Sequence, residues 1–244
     1  MTQLPIPDFF FEEFVMTLRA TPENQPGVRF FLDTADRDAL RRWLPTGLFH
    51  GVTTNPTILD RAGLPCTLAT IAPLVSDILG YPVSEVQAQC WGVETERLIE
   101  TGLALAALDP RMVVKVPITE NGIRAVSALH AYGVRTTLTA VYAAHQALTA
   151  AAAGSDYVAP YFGRIGDHGG DAFAIVTAMQ RILHACGRPT RLLVASLRKA
   201  DDLAALAASG CDTFTFSPAV AEQLFSDPLT TDAAAAFEKT AAGQ

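Results

Sequence analysis

Short apolar runs alternate with longer helical stretches along the chain from residue 28 onward. The runs are rich in β-branched and aromatic residues, and the stretches between them carry Ala and Leu at helical spacing. The predicted strands span 28–33, 51–55, 82–86, 112–117, 135–140, 156–161, 191–196 and 212–217. The predicted helices span 36–43, 65–79, 92–107, 119–132, 142–153, 170–186, 199–209 and 217–225.

This alternation predicts an α/β protein with a closed (β/α)8 (TIM) barrel. A doubly wound open sheet is the alternative, but the strand count and the even spacing favour closure. Two further helical patterns, 8–19 and 230–242, fall outside the repeat. The first would close the barrel bottom or cover a neighbouring subunit, and the second would dock on a partner subunit, unless either is a solvated extra helix. We therefore expect a helical extension over 1–27 and one catalytic barrel domain over 28–244.

Composition narrows the class of protein further. The 244 residues are half apolar, which is enough for one barrel core. A net charge of −7 with dispersed Lys and Arg argues against nucleic acid or an anionic membrane as partner. No apolar stretch approaches the ~18 residues of a membrane span, and the start lacks the basic region of a signal peptide. The four cysteines are scattered without a CxxC pair, so we expect a reduced, cytoplasmic protein.

Lys115 interrupts the apolar run of the fourth predicted strand. A lysine ammonium is rarely buried unless it is paired or its charge is used. A buried ion pair with Glu85 is one explanation, although such pairs contribute little net stability. The other is chemical, because desolvation lowers the pKa of an amine and a neutral amine can attack a carbonyl to form a Schiff base. That chemistry needs no metal or other cofactor, and the histidines do not cluster at metal-ligand spacings.

Polar residues lie within or directly after most of the predicted strands, and barrel active sites form at the carboxyl ends of strands. They are Asp33, Thr53, Asn55, Glu85, Lys115, Thr139, Tyr161 and Ser196. Several have a structural alternative, since Asp33 and Ser196 could cap helices and the Asn55–Pro56 pair could start a turn. Their joint occurrence at one end of a barrel favours an active site.

Seven segments carry a resemblance to a known family over nearly the whole of 28–240. They are FLDTAD, GVTTNPTIL, VSEV, VVKVPIT, TTLTAVY, YVAPYFGRI and VASLRK, in the family's order. The chain resembles the transaldolase and fructose-6-phosphate aldolase family of Schiff-base barrels. The resemblance implies an enzyme of carbohydrate metabolism, in the pentose phosphate pathway, that acts on sugar phosphates. It also implies a homo-oligomer, with a pentamer or decamer as the family's assemblies.

The resemblance also implies catalytic roles for particular residues. Lys115 matches the Schiff-base lysine, and Asp33 matches the acid/base that handles the proton of the substrate C4 hydroxyl. Glu85 and Thr139 match the pair that holds the catalytic water used to form and resolve the imine.

The implied substrate-binding residues surround this group. Thr53 and Asn55 match residues that hold the dihydroxyacetone hydroxyls and the lysine. Arg164 and Arg198, with Ser196, match the clamp for the distal phosphate, a role that suits the bidentate geometry of guanidinium groups.

The branch of the family depends on three positions. Transaldolases carry a glutamate where Glu85 stands, whereas the aldolase branch has glutamine. Ala159 and Tyr161 resemble the aldolase branch, because transaldolases more usually have serine and phenylalanine there. On Glu85 we expect a transaldolase that moves a dihydroxyacetone unit between sugar phosphates, with some aldolase activity from Tyr161. An aldolase that releases free dihydroxyacetone and a non-catalytic sugar-phosphate-binding barrel are the alternatives.

Overall fold

The computed structural model describes residues 27–187 and 189–243, so the helix expected over 8–19 lies outside the described residues. All eight strands are parallel and close into a barrel in chain order. The strands are β1 Arg29–Asp33, β2 Gly51–Thr53, β3 Glu85–Gln89, β4 Met112–Pro117, β5 Thr136–Val141, β6 Tyr157–Pro160, β7 Arg191–Leu197 and β8 Thr213–Phe216. Since β1 pairs with β8, the predicted (β/α)8 barrel is confirmed and the open sheet is excluded.

Helices separate the strands and cover the outside of the barrel. They are α1 Arg37–Trp43, α2 Pro56–Arg61, α3 Leu68–Leu79, α4 Thr95–Ala106, α5 Glu120–Ala131, α6 His145–Ala153, α7 Phe162–Asp167, α8 Ala172–Cys186, α9 Ala200–Ala208, α10 Pro218–Gln223 and α11 Pro228–Ala241. The predicted C-terminal helix is therefore confirmed as α11. Within the described part of the chain, no helix combines the length and the apolar character needed to cross a membrane.

Three elements differ most from the sequence prediction. β3 was predicted over 82–86 but begins at Glu85 and continues to Gln89. The short helices α2 and α7 were not predicted, and each follows a strand almost directly. The α2 helix forms because the Asn55 side chain accepts a hydrogen bond from the backbone N–H of Ile58 at 3.0 Å, and Pro56 fits the first helical position.

The core has two parts, which lie on the two faces of the strands. The larger part packs the outer face against the helices, with residues such as Val86, Val114 and Leu138 fully buried. The smaller part fills the inside of the barrel with the side chains of Phe31, Val113, Tyr157, Ala159 and Leu193. We call these five side chains the apolar plug, and they separate the polar groups at the two ends of the barrel.

Two strands bulge as they approach the carboxyl end of the barrel. The register of β5 shifts between Leu138 and Val141, and that of β7 shifts between Val194 and Leu197. Each bulge contains one non-glycine residue in the left-handed region, Ala140 at φ 59° and Ser196 at φ 61°. Such residues are strained and cluster at functional sites, where bulges re-aim side chains.

Candidate active site

Lys115 lies on β4 with only 4% of its surface exposed. Its Nζ donates a hydrogen bond to the backbone carbonyl oxygen of Thr54 at 3.1 Å. Burial lowers the pKa of this amine, and the charge of Asp33 opposes the shift only in part. The site therefore favours the neutral, nucleophilic form of the lysine.

Asp33, the last residue of β1, faces the same cavity as Lys115. Its Oδ1 accepts a hydrogen bond from the Thr53 hydroxyl at 2.6 Å, and that hydroxyl also lies 2.6 Å from the hydroxyl of Thr215. Desolvation raises the pKa of the Asp33 carboxyl, against the lowering effects of the Lys115 charge and of the Thr53 hydrogen bond. A raised pKa makes the carboxylate a stronger base, which suits a group that takes and returns a proton during a reaction.

Tyr161 and Thr139 form a second polar pair at the mouth. The Tyr161 hydroxyl lies 2.9 Å from the Thr139 hydroxyl, and either oxygen can be the donor. Tyr161 lines the cavity, whereas Thr139 is buried behind it. The guanidinium of Arg164 stacks over the Tyr161 ring, 4.9 Å from its centroid. The pair can therefore hold a hydroxyl or water in the cavity close to a cation.

Ser196 and Arg164 come from two elements that pack unusually closely. A Cβ added at Gly163 of α7 would lie 2.4 Å from the backbone oxygen of Ser196, so only glycine permits this approach. Both Ser196 and Arg164 line the cavity. The geometry therefore puts a hydroxyl and a cation on one side of the mouth, as a phosphate group requires.

Arg198 also lines the cavity, but its guanidinium is already paired. One terminal nitrogen donates to Oδ1 of Asp167 at 2.8 Å, and the other donates to Oδ2. Asp167 ends α7, so this pair joins that helix to the end of β7. The two arginines of the expected clamp therefore differ. Arg164 has no acidic partner among the described residues, whereas Arg198 is paired with Asp167.

The cavity at the carboxyl end has a volume of about 340 Å³. It brings together most of the predicted site residues, namely Asp33, Asn55, Lys115, Tyr161, Arg164, Ser196 and Arg198. Thr53 and Thr139 support it from behind through their bonds to Asp33 and Tyr161. Sequence reasoning missed other residues that line it, including Thr57, Arg61, Asp167, Thr215 and Ser217.

Glu85 does not belong to this group, and its predicted place at the mouth is wrong. It is the first residue of β3, so it lies at the amino end of the barrel. Its Oε1 accepts a hydrogen bond from Arg135 at 2.6 Å, and both carboxylate oxygens accept from the Tyr157 hydroxyl at 2.9–3.0 Å. Arg29 lies 3.8 Å away and the His50 ring nitrogen 3.5 Å away.

These neighbours fix the charge of Glu85. Burial opposes ionisation, but the His50 ring and the Arg135 guanidinium outweigh it and lower the pKa of Glu85 to about 2. We call Glu85 with Arg29, His50, Arg135 and Tyr157 the basal ionic cluster. A carboxylate paired in this way carries a permanent charge and is poorly suited to proton transfer.

Two residues of β3 share the inward face with Glu85 and lie nearer the mouth, and the second of them, Gln89, is in register with Lys115. The first, Gln87, is in register with Thr53, which is in register with Asp33. Its side-chain oxygen accepts a hydrogen bond from the Thr137 hydroxyl at 2.8 Å, and its Nε2 is buried without a partner in the described part of the chain. Strand alternation is the signal that points to Gln87, because residues two apart share one face of a strand and Gln87 follows Glu85 by two positions.

The fold is a (β/α)8 barrel, and ionisable groups are buried in a cavity at the carboxyl ends of its strands. This arrangement is that of a barrel enzyme. Comparison with known proteins gives the family. The family described as Transaldolase/Fructose-6-phosphate aldolase matches residues 30–244. The chain belongs to this family of enzymes.

Individual relatives cover most of the chain. A protein of Phenylobacterium zucineum (strain HLK1) named "Probable transaldolase" is 34% identical over 203 residues, which are 83% of this chain and 91% of the relative. Another of that name, from Caulobacter sp. (strain K31), is 36% identical over 216 residues, 88% of this chain and 97% of the relative.

Solved structures are similar in fold only. The structure described as "Native KDPGal structure" has a TM-score of 0.56 at 14% identity and covers 83% of this chain and 92% of its own. Thiamine phosphate pyrophosphorylase from Pyrococcus furiosus has a TM-score of 0.53 at 13% identity, covering 80% of this chain and 91% of its own. At such identities the likeness supports the barrel and no activity.

Proposed function

We propose that the protein is a Schiff-base aldolase that cleaves and forms the C3–C4 bond of a phosphorylated ketose such as fructose 6-phosphate, with free dihydroxyacetone as one product. The observation that carries the proposal is the buried Lys115 amine, which shares a cavity with Asp33 and with the cation Arg164. Family membership supports a transaldolase or an aldolase, and the residues of the mouth support the aldolase.

The first half of the reaction makes the Schiff base. The neutral Lys115 amine attacks the C2 carbonyl of the ketose to give a carbinolamine, which loses one water to give an iminium ion. The bonded partner of the Lys115 amine is the Thr54 carbonyl oxygen rather than a carboxylate. The amine can therefore attack without first breaking an ion pair.

The second half breaks the carbon–carbon bond. Asp33 takes the proton of the C4 hydroxyl, the C3–C4 electron pair moves into the iminium to form an enamine, and the aldose phosphate leaves. The proton taken by Asp33 then returns, through a water, to C3 of the enamine, which regenerates the Asp33 carboxylate and the iminium. Hydrolysis of the iminium by one water releases dihydroxyacetone and restores the amine. Water lost in the first half is regained in the second, so the overall reaction is ketose to aldehyde plus dihydroxyacetone.

Two residues favour release of dihydroxyacetone over its transfer. The Tyr161 hydroxyl, paired with Thr139, can hold a water that protonates the enamine or hydrolyses the iminium. Gln87, rather than a glutamate, is the β3 residue in register with Thr53 and Asp33. The glutamate on which a transaldolase was expected is Glu85, which lies at the other end of the barrel.

Transfer to a second aldose phosphate is the second candidate, favoured by the name "Probable transaldolase" that the relatives carry. Both reactions use the same enamine, and they differ in whether a proton or an aldehyde captures it.

A coupled assay separates the two candidates. Purified protein is incubated with fructose 6-phosphate, with and without erythrose 4-phosphate, and glyceraldehyde 3-phosphate is measured. We expect glyceraldehyde 3-phosphate to form without the acceptor. Formation only in the presence of erythrose 4-phosphate would support transfer and contradict the aldolase.

Trapping tests the step that both candidates share. Borohydride added with dihydroxyacetone should reduce the iminium and leave a stable adduct, visible by mass spectrometry on the peptide that contains Lys115. If no peptide gains mass although dihydroxyacetone is present in excess, the Schiff-base mechanism is wrong and a non-catalytic sugar-phosphate-binding barrel gains support.

A further inference from the structure

Arg61 is a cation at the mouth that the proposed reaction does not yet use. It is the last residue of α2, it is exposed, and it lines the same cavity as Lys115 and Asp33. Among the described residues it has no hydrogen-bond or ion-pair partner. Exposed arginines such as Arg97 and Arg124 instead pair with a glutamate of their own helix.

The topology puts Arg61 across the mouth from Arg164. Helix α2 follows β2, and α7, which carries Arg164, follows β6. In a barrel closed in chain order from β1 to β8, β2 and β6 are four strands apart in either direction. The two arginines therefore approach the cavity from opposite sides, with Lys115 and Asp33 below and between them.

Both guanidinium groups are close enough to the reacting groups for their charge to be felt there. The charges of Arg164 and of Arg61 each lower the pKa of Asp33, although desolvation keeps the net shift upward. A cation that has no partner among the described residues, lines a cavity and acts on the acid inside it is better explained by a bound anion than by surface solubility. Its position in the last turn of a helix also suits a cation, but that explains neither its place at the cavity nor its missing partner.

The identity of the ligand follows from the chemistry of the mouth. The third arginine, Arg198, is engaged by Asp167, so Arg61 and Arg164 are the two cations of the cavity without an acidic partner in the described part of the chain. Guanidinium groups bind phosphate through paired N–H donors. Resting on the function proposed above, we propose that Arg61 binds the terminal phosphate of the sugar from the side opposite Arg164, and so sets the preference for phosphorylated over neutral substrates.

Two substitutions and one control test this role. Arg61→Gln removes the charge, Arg61→Lys keeps the charge without the forked donors, and Arg181→Gln removes an exposed arginine of α8 that does not line the cavity. Each variant is assayed in the direction of synthesis, with dihydroxyacetone and either glyceraldehyde 3-phosphate or glyceraldehyde as the aldehyde. Circular dichroism checks that each variant is folded.

For Arg61→Gln we expect KM for glyceraldehyde 3-phosphate to rise about tenfold, while KM for glyceraldehyde changes less than about twofold. Arg61→Lys should recover part of the loss, and Arg181→Gln should behave as the wild type. Equal changes for both aldehydes would overturn the proposal, since they would mean that Arg61 acts through Asp33. No change for either aldehyde would also overturn it.

A titration with inorganic phosphate keeps this test separate from the proposed reaction. Isothermal titration calorimetry needs no turnover, and it can be done on Lys115→Met protein with and without Arg61→Gln. We expect phosphate to bind about tenfold more weakly when Arg61 is replaced. Unchanged phosphate affinity would overturn the role of Arg61, whereas failure of the reaction itself would appear as a missing borohydride adduct on Lys115.

Discussion

Both ends of the barrel bury ionisable side chains, and they treat them in opposite ways. At the amino end, the carboxylate of Glu85 is surrounded by Arg135, Arg29 and the Tyr157 hydroxyl. At the carboxyl end, the Lys115 amine has a backbone carbonyl as its bonded partner, and burial lowers its pKa. The pairing of a buried charge, rather than its burial, therefore distinguishes a group that stabilises the fold from one that is available for chemistry.

The largest effect should come from removing the unpaired amine. We expect Lys115→Met to lower kcat by a thousandfold or more, because the nucleophile is lost (order of magnitude). The variant should be at least as stable as the wild type, because Met fills a similar volume without the cost of a desolvated amine. Steady-state kinetics and urea denaturation measure the two quantities. A variant that retains activity would contradict the mechanism, and one that unfolds would contradict the view that this charge is kept at the expense of stability.

At the basal ionic cluster the same kind of substitution should have the reverse outcome. Glu85→Gln leaves Arg135 and Arg29 without their carboxylate. Because the Arg135 side chain is 39% exposed, the cost should be below that of a fully buried pair, at about 2–3 kcal/mol of unfolding free energy. Activity per folded molecule should stay within about twofold. A stable but inactive Glu85→Gln variant would show that Glu85 takes part in the reaction after all.

Glu120→Gln is the matched control for this substitution. It removes an exposed carboxylate that pairs with Arg124 at 2.6 Å. Because exposed ion pairs contribute about 0–1 kcal/mol, urea denaturation should barely distinguish this variant from the wild type.

Acid should remove the contribution of Glu85 over a defined range of pH. The pKa of Glu85 is about 2 in the folded protein against 4.5 for the free side chain. Its stabilisation is therefore complete above pH 4.5 and is lost as the pH falls from 4.5 toward 2, a loss of about 3 kcal/mol in total. Urea midpoints at about pH 5 and pH 3 should differ more for the wild type than for Glu85→Gln. Equal pH dependence of the two proteins would contradict the assignment of this charge.

The smallest effect concerns the polar pair at the mouth. Tyr161→Phe removes one hydrogen bond to Thr139 and the hydroxyl that can hold a water. We expect release of dihydroxyacetone to slow by about fivefold, roughly 1 kcal/mol, while transfer to an added aldose phosphate is retained or increased. Parallel measurement of release and transfer checks this ratio, and a uniform loss of both would mean that Tyr161 only shapes the cavity.

The sequence predicted the barrel well because strand and helix patterns of ordinary length are easy to recognise. It failed at two short helices that are additional to the β/α repeat, and at the start of β3. Helices α2 and α7 are each six residues long, which is under two turns and too short to display a helical period. Arg61 was missed for that reason, since it lies at the end of α2.

The error at Glu85 has a different cause. Alternation along a strand shows which face a residue occupies, but it does not show where the strand begins. Glu85, Gln87 and Gln89 share a face of β3, and a start displaced by three residues moves a side chain along the strand by about 10 Å. That is enough to mistake a residue of the basal ionic cluster for one at the mouth. Lys115 and Asp33 were placed correctly because the carboxyl ends of β4 and β1 were predicted at the observed residues.

The apolar plug has a consequence for the order of events in turnover. The barrel axis beneath the site is filled by Phe31, Val113, Tyr157, Ala159 and Leu193. The cavity is therefore closed toward the amino end, and substrates and products enter and leave through the mouth. The dihydroxyacetone fragment attached to Lys115 then lies deepest in the cavity, and the aldehyde product lies between it and the solvent. The first aldehyde has to leave before water or another aldehyde can reach the enamine. The shape of the barrel therefore sets the order of product release, and it predicts double-displacement kinetics wherever a second aldehyde is used.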